Sequence, residues 1–207
     1  TKGNYPGLIS YDNGQVDPNI SSQYDLIELL ANRDGKLSQD RPHYIKVDGY
    51  YTWDLKRAGA ITLGSRIRAL SGVPENTLAP HYAYGANESF LLPRGQLGRT
   101  DFDYGVDLHL GYERDLGRGM KLSVFTDLYN VFNKQGEAAV DDTYAIAYPG
   151  NNANPVSGGT YEDLLWVKKV DDRGLETSDP IERNPNFHNT TSRYSPFYAR
   201  IGAQLSF

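Results

Sequence analysis

The chain contains no cysteine. A disulfide framework, a thiolate metal site and a cysteine nucleophile are therefore excluded. Long apolar runs are missing too: nothing approaches the roughly 18 residues of a membrane-spanning helix. Basic charge is not in excess, and the formal net charge is −5. A nucleic-acid binder would normally carry a basic face, so no nucleic-acid partner is expected. Enzyme signatures are lacking as well. There is no Gly-x-Ser-x-Gly elbow, no Gly-x-x-x-x-Gly-Lys phosphate loop and no His-Glu-x-x-His. The chain opens on Thr1 with no signal-peptide pattern, as expected of a mature product or a fragment.

Tyrosine and glycine are abundant instead, at 16 and 21 residues. That mixture suits strands, turns and an aromatic girdle better than a helical core. Low mean hydropathy on its own describes a soluble β domain, such as a sandwich. A transmembrane barrel also has polar loops and a polar lumen, so the average does not separate the two. The pattern along the chain does. Strand side chains alternate between faces. In Pro196–Phe207, the residues Phe197, Ala199, Ile201, Ala203, Leu205 and Phe207 share one face. Tyr198, Arg200, Gly202, Gln204 and Ser206 share the other. His43–Leu55, Ala60–Leu70, Asp101–Glu113 and Met120–Asn130 repeat the design with period two. Each is about the 9–11 residues a tilted strand needs to cross hydrocarbon.

The connections alternate in length. Lys56–Gly59 and Arg114–Gly119 are short, whereas Ser71–Thr100 and Gln135–Ser195 are long. Short turns on one side and long loops on the other characterise outer-membrane barrels. The expected organisation is an extracellular segment with a short helix (1–42), then four transmembrane strands with one long extracellular loop at 71–100 (43–134). A second long loop (135–195) and a C-terminal transmembrane strand (196–207) follow. The helix is expected over Ser22–Asn32, from Leu26, Ile27, Leu29 and Leu30 at helical spacing. In the last loop, Ala138–Tyr148 and Tyr161–Val170 read as a projecting hairpin, with a helix as the alternative for Tyr161–Val170. Five strands cannot close a barrel, for which the known range begins at about eight. The fold class expected is therefore all-β: an antiparallel transmembrane β-barrel segment of a larger barrel.

Three stretches resemble a known family. They are Asp40–His43 with Lys46–Gly49; Ser71–Pro74, Pro93–Gly95 and Gly98–Thr100 running into Val106–Leu108; and Phe125–Asn133. They resemble the C-terminal barrel of TonB-dependent outer-membrane receptors, in the Oar-like, OmpA-related branch. The final strand also resembles the signal read by the barrel-assembly machinery, with Arg200, Gly202, Leu205 and Phe207 in the matching positions. The resemblance implies a 22-stranded barrel ending in these five strands, a plug, an inner-membrane TonB complex as partner, and uptake of scarce substrates. Oar-like members have also been linked to surface and secretion roles, so an anchor displaying large loops is the second reading.

The inward-facing charged set is Lys46, Asp48, Arg66, Arg68, Asp103, Asp107, His109 and Asp127. These are the candidates for contact with ligand or plug, with Arg66 and Arg68 the leading pair for an anionic group. The plain alternative is a solvated wall of cross-strand ion pairs that contribute little individually. Tyr51, Trp53, Tyr112, Phe197 and Phe207 are expected as girdle residues against lipid. Tyr82, Tyr84 and Trp166 are expected to pack within loops, with sugar stacking as their functional alternative. Asp12–Asp17 is an incomplete calcium loop and reads as a turn. Asp141-Asp142 and Asp171-Asp172 are read as solvated charge. No catalytic residue, cofactor or metal is expected. A hydrolase would have to draw on His109 or Asp103, and His109 beside Asp107 on one strand is no hydrogen-bonded relay.

Overall fold

A computed structural model describes residues 2–3 and 24–207. The chain divides into two compact units, each assembled from three chain segments. One is a sheet unit of Pro42–Ser71, Asp101–Gly136 and Arg193–Phe207; the other is a loop unit of Thr1–Arg41, Gly72–Thr100 and Glu137–Ser192.

The sheet unit holds five strands: β1 (Tyr44–Asp54), β2 (Ala60–Leu70), β3 (Asp103–Gly117), β4 (Met120–Tyr129) and β5 (Tyr198–Ser206). Each pairs antiparallel with its neighbour in sequence, giving a meander in the order β1 to β5. The side-chain period is two, so register decides which residues share a face. The apolar residues fall in rows. Tyr51, Leu63, Leu110, Thr126 and Ile201 form one row; Trp53, Ile61, Tyr112, Val124 and Ala203 form the next. Most of the large members of this face are open to solvent: Ile45, Val47, Tyr51, Leu63, Ile67, Leu110, Ile201 and Leu205 are all exposed. A soluble sheet would cover such a face with a second layer.

Both long excursions leave and rejoin the sheet at one end, where Leu70 faces Asp103 and Tyr129 faces Tyr198. The short turns lie at the other. β3 extends four residues past the expected end at Glu113 and closes on β4 by a two-residue turn. Arg118 and Gly119 there have φ of 55° and 81°. Positive φ at both central positions is the turn geometry that matches the twist of paired strands. The register slips by one between Met120 and Lys121.

The loop unit has little regular ladder. Among the described residues it carries two-stranded pairs such as Leu78–His81 with Gly85–Phe90, and Lys168–Val170 with Glu176–Pro180. Its core is Ala79, Leu91, Leu92, Tyr144, Ala145, Ala153, Leu164, Val167 and Ile181. Backbone groups without ladder partners are met by asparagine side chains, which both donate and accept. Asn32 Nδ2 donates to the carbonyls of Phe90, Leu91 and Val156 at 2.9–3.0 Å, and its Oδ1 accepts from Gly158 N. Asn151 and Asn184 splice Ile146, Glu182 and Thr143 in the same way.

Two expectations are corrected here. The helix over Ser22–Asn32 is, in its described part, one 3-10 turn at Ile27–Leu30. Only Leu29 of that turn is buried, while Ile27 and Leu30 are exposed, so no apolar stripe holds a longer helix. The hairpin of Ala138–Tyr148 with Tyr161–Val170 does not form. Glu137–Val140 pairs with Thr190–Arg193, and Tyr161–Trp166 is a 3-10 helix, as the helical alternative anticipated in kind. The reason lies in Tyr144 and Leu164: both are buried in the common core, and the Tyr144 hydroxyl donates to Leu164 O at 2.8 Å. The Asp12–Asp17 turn lies outside the described residues.

Candidate functional site on the polar face of the sheet

The polar face of the sheet gathers every one of the eight inward candidates. Strand pairing arranges them by row. Lys46 faces Arg68, which faces Gly105; Asp48 faces Arg66, which faces Asp107. Tyr50, Gly64, His109, Asp127 and Arg200 make a third row, and Thr52, Thr62, Gly111, Phe125 and Gly202 a fourth.

Charges of opposite sign meet along these rows. Arg66 Nε donates to Asp48 Oδ1 at 2.6 Å, and Lys46 Nζ lies 3.7 Å from Asp48 Oδ2. Asp107 Oδ1 accepts from the backbone N of Asn130 at 2.9 Å. Arg68 Nε is 3.4 Å from Oδ2 of Asp103, whose side chain is buried. His109 pairs not with Asp107 but across the strand with Asp127, Nδ1 to Oδ1 at 2.6 Å. Arg200 approaches the other oxygen, with Nη2 at 2.6 Å and Nε at 3.0 Å from Asp127 Oδ2. Asp127 therefore joins β3, β4 and β5 through one carboxylate. Each member of the set has a partner on the polar face.

Glycines give these long side chains room. A Cβ on Gly202 would lie 2.4 Å from the Phe125 ring, and one on Gly111 would lie 3.0 Å from His109 Nε2. Phe125 thus lies flat over its glycine neighbour, with its ring 6.2 Å from that of His109 and 5.4 Å from the Arg200 guanidinium carbon. At the loop end of the face, Tyr129 and Tyr198 stack at 4.4 Å. The concave surface between is lined by Asp48, Tyr50, Arg66, Asp107, His109 and Asp127.

Sequence reasoning missed the His109–Asp127–Arg200 bridge, because it considered neighbours along a strand. The partner is set by the turn at Arg118–Gly119 together with the one-residue slip after Met120, which brings Asp127 instead of Leu128 opposite His109. Phe125 and Tyr129 also lie on the polar face of β4, where Gly111 and Gly202 flank the first and Tyr198 stacks on the second. Among the girdle candidates, Tyr51 and Trp53 meet edge to face at 4.8 Å, and the Tyr112 hydroxyl donates to Ala58 O at 2.6 Å. Phe197 and Phe207 are exposed. Lys134 Nζ sits 4.2 Å over the Tyr104 ring, an interface-type contact not foreseen.

Three of the four residues of the acidic pairs accept hydrogen bonds. Asp171 Oδ1 accepts from the backbone N of Arg173 and of Leu175, which holds its carboxyl below the usual range. Asp142 accepts from Asn76, and Asp141 from Thr143 and Asn184. Among the described residues, no group of three His, Asp or Glu is placed to hold a metal ion.

An antiparallel sheet with one apolar and one ion-paired polar face is consistent with a segment of a β-barrel wall. Similarity to a known protein agrees with that class. Over 99% of its length the chain is 38% identical to the TonB-dependent transporter Oar of Myxococcus xanthus. The chain spans 20% of that protein's length. No family model and no solved structure matches the chain.

Proposed function

We propose that the chain forms part of the wall and the external loops of an outer-membrane TonB-dependent transporter barrel. The observation that carries this reading is the continuous row-by-row apolar face, left exposed across five strands in register. In hydrocarbon that face is stabilised by lipid, and the backbone is satisfied by its ladders. The short turns then face the periplasm, and the two long excursions, which leave the sheet at its other end, face outside the cell and capture ligand. The inner face contacts the plug or a passing substrate through Lys46, Asp48, Arg66, Arg68, Asp103, Asp107, His109 and Asp127. Arg200, Gly202, Leu205 and Phe207 serve the barrel-assembly machinery. The further partners are the rest of the barrel, the plug, outer-membrane lipid and the inner-membrane TonB complex.

Substitution at matched depth tests the face assignment. Leu108→Arg, facing lipid, is expected to cost about 2–4 kcal/mol, whereas Asp107→Arg, its neighbour on the polar face, costs much less. Folding into detergent or lipid, followed by denaturant titration, reads the difference; equal costs on both faces would refute it. A second reading, an anchor displaying loops for adhesion or a surface role, is favoured by the loop unit's own hydrophobic core. A plug and a TonB-contacting segment in the natural protein would decide for transport.

A further inference from the structure

Of the three loop aromatics expected to pack, two are held by hydrogen bonds of their hydroxyl groups. The Tyr82 hydroxyl donates to Glu28 Oε1 at 2.8 Å, and the Tyr84 hydroxyl is bonded to Asp25. Trp166 does not pack: it is 80% exposed at the end of the 3-10 helix Tyr161–Trp166. An indole left in water forfeits the largest burial available to any side chain, so its place needs a reason. Beside it opens a cleft of about 350 Å³, lined by Asn154, Val156, Asp163, Trp166, Lys168 and Glu176 among others. That volume falls within the range of small-ligand sites.

The chemistry of the lining is mixed. The Trp166 ring offers a flat apolar wall, and Val156 adds aliphatic surface. Around it stand a cation, two carboxylates and an amide. Asp163 uses Oδ2 to accept from Thr160 N and Oγ1, at 2.7 and 3.0 Å, so its carboxylate is fixed in position with its other oxygen unused by that turn. Asn154 Nδ2 donates to Gly174 O at 2.9 Å, while its Oδ1 is buried with no hydrogen-bond partner. A protein-docking face would be apolar at its centre and polar at its rim. Here residues with hydrogen-bonding side chains line the cleft together with the indole.

We propose that this cleft binds a saccharide. The C–H face of a pyranose ring stacks on Trp166, and its hydroxyl groups exchange hydrogen bonds with Asp163, Lys168 and Glu176. Sugar rings have this dual character, one apolar face with hydroxyls at the edge, and so match a flat indole bordered by donors and acceptors. The proposal needs the folded loop unit only and does not rest on transport.

The test uses the full natural protein that contains this chain, in detergent. Malto-, cello- and chitohexaose, and the oligosaccharide released from lipopolysaccharide, serve as probes by isothermal calorimetry. At least one is expected to bind saturably. Trp166→Ala is expected to weaken it roughly tenfold or more, as loss of a central tryptophan anchor does. Trp166→Phe keeps a stacking face and loses less. Heat-dependent migration on gels confirms that each variant is folded. The proposal is overturned if no probe binds, or if Trp166→Ala binds as well as the parent. Adhesion to lipid vesicles or to a protein that depends on Trp166, with no saccharide bound, would also overturn it. Uptake measurements separate this from the transport reading: saccharide binding without uptake leaves the site intact and shows only that the bound sugar is not what is transported.

Discussion

Gly202 shows how a single residue is fixed by its neighbour across the strands. The Phe125 ring occupies the volume a side chain at 202 would need, and His109 and Arg200 flank that ring. Gly202→Val is expected to destabilise the sheet by about 1–3 kcal/mol through overpacking. Phe125→Ala should restore most of that loss in the double variant, which a denaturant-based double-mutant cycle would detect. A glycine needed only as an assembly signal would show no such rescue. Asn32 is a second such position, with φ of 62° and four hydrogen bonds from one amide. Asn32→Ala is expected to cost the loop unit about 2–4 kcal/mol, since three carbonyls and one amide N–H lose a partner. Protection of the Leu91–Arg94 backbone in hydrogen exchange should fall accordingly. Neither role was legible in the sequence, because both depend on residues far away along the chain.

At the scale of elements, the five strands were legible and the loops were not. A strand writes its burial into the sequence at period two, so the faces of β1 to β5 could be assigned from the order of residues alone. β3 ran past its expected end because Arg114 and Asp115 are polar and break the alternation, yet still pair with β4. The loop segments have no period. Their shape follows from buried tyrosine and asparagine contacts, so the helix at Ser22–Asn32 and the Ala138–Tyr148 hairpin were misread. The turn at Asp171 gives this irregular structure a pH signature. Its carboxyl is held low by the N–H groups of Leu175 and Arg173, below its ordinary value of 3.8. A depressed carboxyl contributes stability that is present above the unfolded value and lost as the pH falls through the folded one. The 171–175 turn should therefore loosen below about pH 4, with faster hydrogen exchange at Leu175. Asp171→Asn, whose side-chain oxygen still accepts, should keep the turn and flatten that pH dependence.

At the scale of the whole molecule, the two units divide the chemistry. Acidic residues gather in the loop unit, while basic residues outnumber acidic ones in the sheet unit. Among the described residues, the sheet ends in two edges, β1 and β5, each paired on one side only. An open edge in hydrocarbon leaves backbone groups unsatisfied, so further strands are needed on both sides before such a sheet is stable in a membrane. The inner-face candidates were legible as a set from alternation, but their pairing awaited register. Trp166 stood out only once its exposure was known.

The alternation of faces has a consequence for how freely the sequence can change. If the apolar face meets lipid as proposed, a position there should accept almost any apolar residue and reject most polar ones, with little regard to shape. On the polar face it should accept polar residues of many kinds but depend on its partners, as Asp127 does on His109 and Arg200. A scan of all substitutions through β2, β3 and β4 should therefore show tolerance that flips at every step along each strand. The two sets should carry different errors: single hydrophilic changes on one side, and coupled pairs on the other.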